Sequence, residues 1–225
     1  MRLGEVSASR ARGDGGLKLA LPRGALFDGT LDLLDRIGVD TDRLRSDSRS
    51  LVFEVDDLIL VTMRPSDVPT YVEAGAADLG ITGKDVLLEQ RERAVYELLD
   101  LGYGACQMVL AARRGDDSLG EAERRLGAMR IATKYPRAAE HHFQESGRRV
   151  EVIEVKGSVE LAPLVGLADG IVDLVDTGRT LAENELEVRE EIAMCTARLV
   201  ANRVAHKLRA ADVDELAERM REATR

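Results

Sequence analysis

The sequence predicts an α/β protein built as two lobes. Three observations point there. Short aliphatic and β-branched runs alternate along the chain with segments of helical periodicity. A passage of strand, glycine turn and helix recurs, first near residues 17–37, again at 78–87 and again at 169–181. The chain also leaves its first group of strands near residue 104 and returns near 195, so two connections join the halves, as in a hinge with a cleft.

In order, residues 1–16 are rich in Arg and Gly and lack an apolar core, which predicts a disordered tail rather than a signal peptide. Residues 17–21 read as a strand and 26–37 as a helix stopped by Gly38, with Arg23 in the turn between them. Residues 40–50 are polar and read as a loop carrying Arg43, Arg45 and Arg49. Residues 51–55 and 58–63 read as two strands joined by a tight turn at Asp56 and Asp57. Arg64 follows at a strand end. Ser66 or Asp67 is the expected N-cap of a helix running to about Ala74, with Pro69 in its first turn. Residues 97–101 and 105–112 read as strands, the second leaving one lobe for the other. Residues 113–128 are charged and helical or loop-like. A strand at 130–133 and a helix at 137–145 follow, with His141 and His142 on the helix surface. Residues 150–155 form a strand, and Ser158 is the expected cap of a short helix carrying Glu160. Residues 186–202 read as strand that crosses back, followed by amphipathic helices at 203–209 and 212–222 whose apolar side packs on the first lobe.

Composition narrows the function classes. Among 225 residues, 44% are hydrophobic but only 3% aromatic, with no Trp, so the cores are aliphatic and base-stacking readers of nucleic acid are disfavoured. The net charge of −9 argues against a general nucleic-acid or anionic-membrane surface. No 18-residue apolar run is present, which argues against a membrane span. Cys106 and Cys195 lie far apart without zinc spacing and read as buried free thiols of a cytoplasmic protein, not a disulfide.

The chemistry concentrates at residues 169–181. The run 171–175 is a buried strand, and the turn after it opens into a helix, which presents free backbone N–H groups. Gly178 keeps a side chain out of the turn, Thr177 and Thr180 add hydroxyls, and Arg179 adds a cation. Asp173 and Asp176 stand beside this cradle, where carboxylates suit sugar hydroxyls. The pattern fits a phosphorylated sugar; an ordinary Thr-capped strand–turn–helix is the other reading of so short a motif. Gly83 and Lys84, in a run that shares D-L-x-x-T-G-[KR] with 173–179, suggest a second anion-facing turn across the cleft, though seven positions do not prove a duplication. Lys156, Gly157 and Ser158 add a possible anion or ribose contact, and Arg23 stands at the mouth of the first turn.

Residues 157–163, 166–169 and 173–181 together resemble the signature of the ATP phosphoribosyltransferases, and 21–24, 64–69 and 75–85 extend the resemblance over about 17–210. It implies a two-lobed fold like the type II periplasmic binding proteins, with two crossing hinge strands. Lobe I would comprise 17–104 and 195–225, and lobe II, 105–194, would carry the phosphoribosyl-pyrophosphate loop. It implies transfer of phosphoribosyl to N1 of ATP adenine with release of pyrophosphate, the first step of histidine biosynthesis. Asp173, Asp176, Thr177, Gly178, Arg179 and Thr180 would grip the donor, with Gly157, Ser158, Glu160, Gly83 and Lys84 as further substrate contacts. Arg23, Arg49 and Arg64 would act on pyrophosphate or ATP phosphates. Mg²⁺ would arrive with the substrate and face Asp173 and Asp176. The chain resembles the short form of the family, which implies a homodimer within a hetero-oligomer containing a histidyl-tRNA-synthetase-like regulatory subunit. One departure is Pro22-Arg23-Gly24-Ala25, where the family often has P-K-G-R, so a second cation is lost at Ala25. Two rivals share the two-lobed shape. A solute-binding protein would need an export signal, and a regulator's sensing domain would need a helix-turn-helix.

Overall fold

A computed structural model describes residues 15–47, 49–90 and 93–225; most of the expected N-terminal tail lies outside them. The chain runs β1 (Leu17–Pro22), α1 (Phe27–Arg36), α2 (Asp42–Ser46), β2 (Val52–Val55), β3 (Leu58–Met63), α3 (Val68–Glu73), β4 (Leu79–Gly83), α4 (Lys84–Glu89) and β5 (Val95–Asp100). It continues through β6 (Cys106–Arg113), α5 (Ser118–Leu126), β7 (Met129–Thr133), α6 (Pro136–Glu145), β8 (Val150–Glu154), α7 (Leu161–Leu164), β9 (Gly170–Val175) and α8 (Arg179–Glu183). It ends with β10 (Leu186–Cys195), β11 (Ala197–Asn202), α9 (Arg203–Leu208) and α10 (Ala210–Ala223).

The strands form two sheets. One has six strands in the order β2-β3-β1-β4-β11-β5, and the other has five in the order β10-β6-β9-β7-β8. In the first, β1 lies between β3 and β4, parallel to both. Its residues Leu19, Ala20 and Leu21 are fully buried, because an interior parallel strand is covered on both faces. Helices α1 and α10 cover one face through Leu31, Leu33, Leu34, Val213, Leu216 and Met220. Helix α3 covers the other through Val68 and Val72. In the second sheet, β9 pairs antiparallel with β6 and parallel with β7. Phe143 of α6 packs on one face of this sheet, and Val159, Ala162 and Leu181 pack on the other. The chain passes from the first sheet to the second between β5 and β6 and returns between β10 and β11.

Several local expectations are revised. The polar loop contains helix α2, which Arg45 ties to α1 through Asp32 and Asp35, each at 2.8 Å. Asp67 does occupy the N-cap of α3, but its side chain makes no capping bond. Ser158 is not a cap; that position before α7 belongs to Glu160, also without a side-chain bond. The described cap with a full side-chain bond is Asn202, whose amide oxygen accepts from the N–H groups of Val204 and Ala205. Cys106 is only half-buried, whereas Cys195 is buried, and both are free thiols. His142 is less a surface residue than expected, since it lies 2.9 Å from Glu190 of β10.

Candidate active site

The parallel strands β1, β3 and β4 all end on the same edge of the first sheet, the edge where α/β sheets take ligands. Arg23 leaves β1 there and Arg64 leaves β3. Arg23 is anchored: its Nε donates to Thr62 Oγ1 at 3.0 Å and its Nη2 to the Ser50 carbonyl at 2.9 Å. Arg64 is exposed, and among the described residues nothing pairs with its side chain, so its guanidinium is available to an anion. Arg49 is also exposed, on a loop fixed by its own amide donating to Asp47 at 2.9 Å. At the end of β4, Gly83 is buried, but the Lys84 ammonium turns aside to Glu97 at 2.7 Å. Glu97 and Asp100 of β5 also hold Arg198 of β11, at 3.2 and 2.9 Å. Lys84 is therefore part of a charge network rather than a free cation over the cleft.

The turn after β9 has the shape of an anion cradle. Gly178 sits in the left-handed region at φ 73°, and a Cβ there would find nothing nearer than 4.0 Å. Glycine is thus required by the backbone angle, not by crowding. Thr177, Arg179 and Thr180 are exposed, and no described residue engages their side chains. A cavity of about 230 Å³ here is lined by residues 173–181 together with Glu160. Gly157 and Ser158 stand exposed on the loop after β8 and do not line it. Asp173 is buried; it accepts the Leu174 N–H at 2.9 Å, and Lys134 lies 3.9 Å away. Burial raises the Asp173 pKa, an effect that the Leu174 amide and Lys134 partly offset.

A second cavity, about 280 Å³, lies between the sheets. Ala25, Leu26, Pro65, Gly83 and Asp85 line it from the first sheet's side, and Leu174 and Asp176 line it from the second's. Cys106, Cys195 and Thr196 lie at its hinge end. Leu174 and Asp176 border both cavities, so the cradle and the cleft are neighbours. Gly104 at the hinge lies so close to Leu26 that a Cβ would overlap the Leu26 side chain. A larger cavity, about 340 Å³, lies at the opposite edge of the first sheet where β1 begins, away from these groups.

Three residues here escaped the sequence reading. The Asp85 carboxylate lies over Gly83, and burial raises its pKa against two backbone N–H bonds, from Val86 and its own amide. Its one signal was its place directly after the glycine turn. Burial, and to a lesser extent the Asp85 and Asp173 carboxylates, push the Tyr135 hydroxyl up. Glu89 of α4 accepts the N–H groups of Arg137 and Ala138 at 3.1 and 3.2 Å, capping α6 from the other sheet's side.

Comparison with known proteins gives the family and the fold. The sequence model of a family described as "HisG: ATP phosphoribosyltransferase" matches residues 64–222. An ATP phosphoribosyltransferase of Rubrobacter xylanophilus is 51% identical over 201 residues, which is 88% of this chain and 92% of that protein. One from Bacillus subtilis is 44% identical over 206 residues, covering 91% and 93%. Among solved structures, the "ATP phosphoribosyl transferase (HisG:HisZ) complex from Thermotoga maritima" superposes with a TM-score of 0.76 at 36% identity, covering 92% of this chain and 98% of that one. The periplasmic aliphatic sulphonate binding protein SsuA of Escherichia coli superposes at 0.58 with 13% identity, covering 94% and 73%, and so shares the two-lobed fold alone.

Proposed function

This chain belongs to the ATP phosphoribosyltransferase family, and from that membership we propose that it transfers the phosphoribosyl group of phosphoribosyl pyrophosphate to N1 of ATP adenine, the first step of histidine biosynthesis. The observation that carries the reading is the turn at 177–180, whose Thr177, Arg179 and Thr180 side chains are exposed and unengaged by the described residues, lining a cavity next to the cleft. Its N–H groups, two hydroxyls and Arg179 suit the 5-phosphate, and Asp173 and Asp176 suit the ribose hydroxyls.

The adenine N1 lone pair forms a bond to C1 of the ribose as the C1–oxygen bond to pyrophosphate breaks and that oxygen keeps the electrons. N1 needs no general base to attack. Positive charge grows at C1 and negative charge on the leaving group, so positioning and electrostatics carry the catalysis. Arg64, open to the cleft edge, is the first residue for the leaving anion. Arg23 has a fixed orientation and Arg49 is exposed nearby in sequence; both are second to it. Among the described residues no group of three or more His, Cys, Asp or Glu could hold a metal ion. Mg²⁺ carried in on the pyrophosphate would be held on the protein side by Asp173 or Asp176 and would supply charge neutralisation on the leaving group.

A HisZ-like subunit is the partner this reading expects, in a hetero-oligomer with paired copies of this chain. The proposed location is cytoplasmic; no helix among the described residues is long and apolar enough to cross a membrane. The test is pyrophosphate release, followed by a coupled assay with both substrates and with each alone. Release that requires both, and is lost in Arg64→Ala, is expected. Release without ATP would overturn the reading.

A further inference from the structure

Cys106 begins β6 and Cys195 ends β10, and the two are partners in the antiparallel register of these strands. They therefore face each other where the chain crosses between the sheets: β6 follows the outward connection, and β10 precedes the return into β11. Directly opposed residues on antiparallel strands have Cα atoms about 4.5–5.5 Å apart, inside the roughly 4.4–6.8 Å that a disulfide spans. The side chains share a face, since the two thiols interact and both line the cavity between the sheets. Cys106 is half-buried and meets the cavity; Cys195 is only 1% exposed. Burial pushes both thiols up, Cys195 to about 12, and the Asp85 and Asp176 carboxylates add to the rise at Cys106. Both thiols are therefore mostly protonated near neutral pH and slow to react.

We propose that Cys106 and Cys195 are an oxidation site, closing to a disulfide that staples the two interlobe crossings to each other. The oxidant is a low-molecular-weight disulfide. The Cys106 thiolate attacks one of its sulfurs and expels a small thiolate. The Cys195 thiolate then attacks the Cys106 sulfur of the mixed disulfide and expels the second. Two protein thiols are oxidised, one small disulfide is reduced to two thiols, and the two cysteine protons end on those thiols. The bond would lie beside Gly104 and Thr196 at the hinge end of the cleft, tying together the two strands of the second sheet at which the crossings arrive and leave.

The full chain, incubated with glutathione disulfide under mildly alkaline conditions, tests this by intact mass and peptide mapping. The expected product is lighter by two hydrogen atoms, yields a single peptide pair linked through Cys106 and Cys195, and shows no titratable thiol after unfolding. Reductant reverses all three changes. Its Tm rises on the order of 5–10 °C, because the bond closes a long loop. Cys195→Ser is expected to stop at one glutathione adduct on Cys106. A stable glutathione adduct on the unmodified chain, or persistence of both free thiols, overturns the proposal. Turnover is not the readout, so the outcome is independent of the enzymatic reading above.

Discussion

Gly178 adopts φ 73° with open space around it, so the backbone angle alone sets what a substitution costs. Gly178→Val is expected to lose roughly 1–2 kcal/mol of stability, visible in denaturant melts. It should also abolish pyrophosphate release, because relief of the strain rotates the N–H groups of the turn. Normal donor affinity in the folded variant would remove the cradle from the mechanism. Asp173 gives a prediction with a pH sign. Burial raises its pKa in the folded state, so the native protein holds that proton to higher pH than the unfolded chain does. Stability contributed at this residue is present at low pH and is lost as pH rises through the raised value. Asp173→Asn is therefore expected to raise Tm at neutral pH. That gain should vanish as pH falls below the ordinary carboxylate range. The same variant should weaken donor binding by about 2 kcal/mol, roughly 30-fold, for one charge-assisted hydrogen bond. A Tm gain that persists in acid would refute the linkage. The cradle was legible because its residues are contiguous. The pairing of Lys84 with Glu97 was not, since it depends on β11 lying between β4 and β5.

At the scale of elements, strands and major helices were readable because each carries its own periodicity and its own glycine stop. Helix α2 was not, because a five-residue polar helix has almost no apolar face; Leu44 is its one buried side chain. The caps read from Ser66 or Asp67 and from Ser158 show a related limit. A side chain of the right type can stand at or near a helix start without bonding to it. The converse is Glu89, which serves a helix 48 residues away in sequence. Tyr135, at the N-cap of α6, supplies no side-chain bond, so the two first-turn N–H groups go to Glu89 instead. Glu89→Ala is expected to cost about 1 kcal/mol in urea unfolding, the usual loss of a helix cap. Glu89→Gln, which keeps an acceptor but no charge, should recover part of it. Equal losses in the two variants would mean that the charge alone matters.

At the scale of the whole molecule, two chain crossings, the Glu89 clasp and the cavity walls connect the sheets. Two covalent connections allow rotation at small cost, and at the crossing Gly104 stands at positive φ with the end of the Leu26 side chain against it. The cradle belongs to one sheet and Arg64 to the other. If the donor is gripped at 177–180 and its pyrophosphate meets Arg64, as proposed above, the reaction needs the two lobes brought together around it. Whatever biases closure therefore governs turnover, and a bound subunit is one such bias. The chain alone is expected to release pyrophosphate weakly. Addition of a HisZ-type subunit should raise the rate on the order of 10-fold or more, with a smaller radius of gyration by small-angle scattering when the donor is present. Histidine should inhibit only the mixture. Full, histidine-inhibited activity from the chain by itself would mean that closure and regulation reside within these 225 residues, and the dependence on a partner would be wrong.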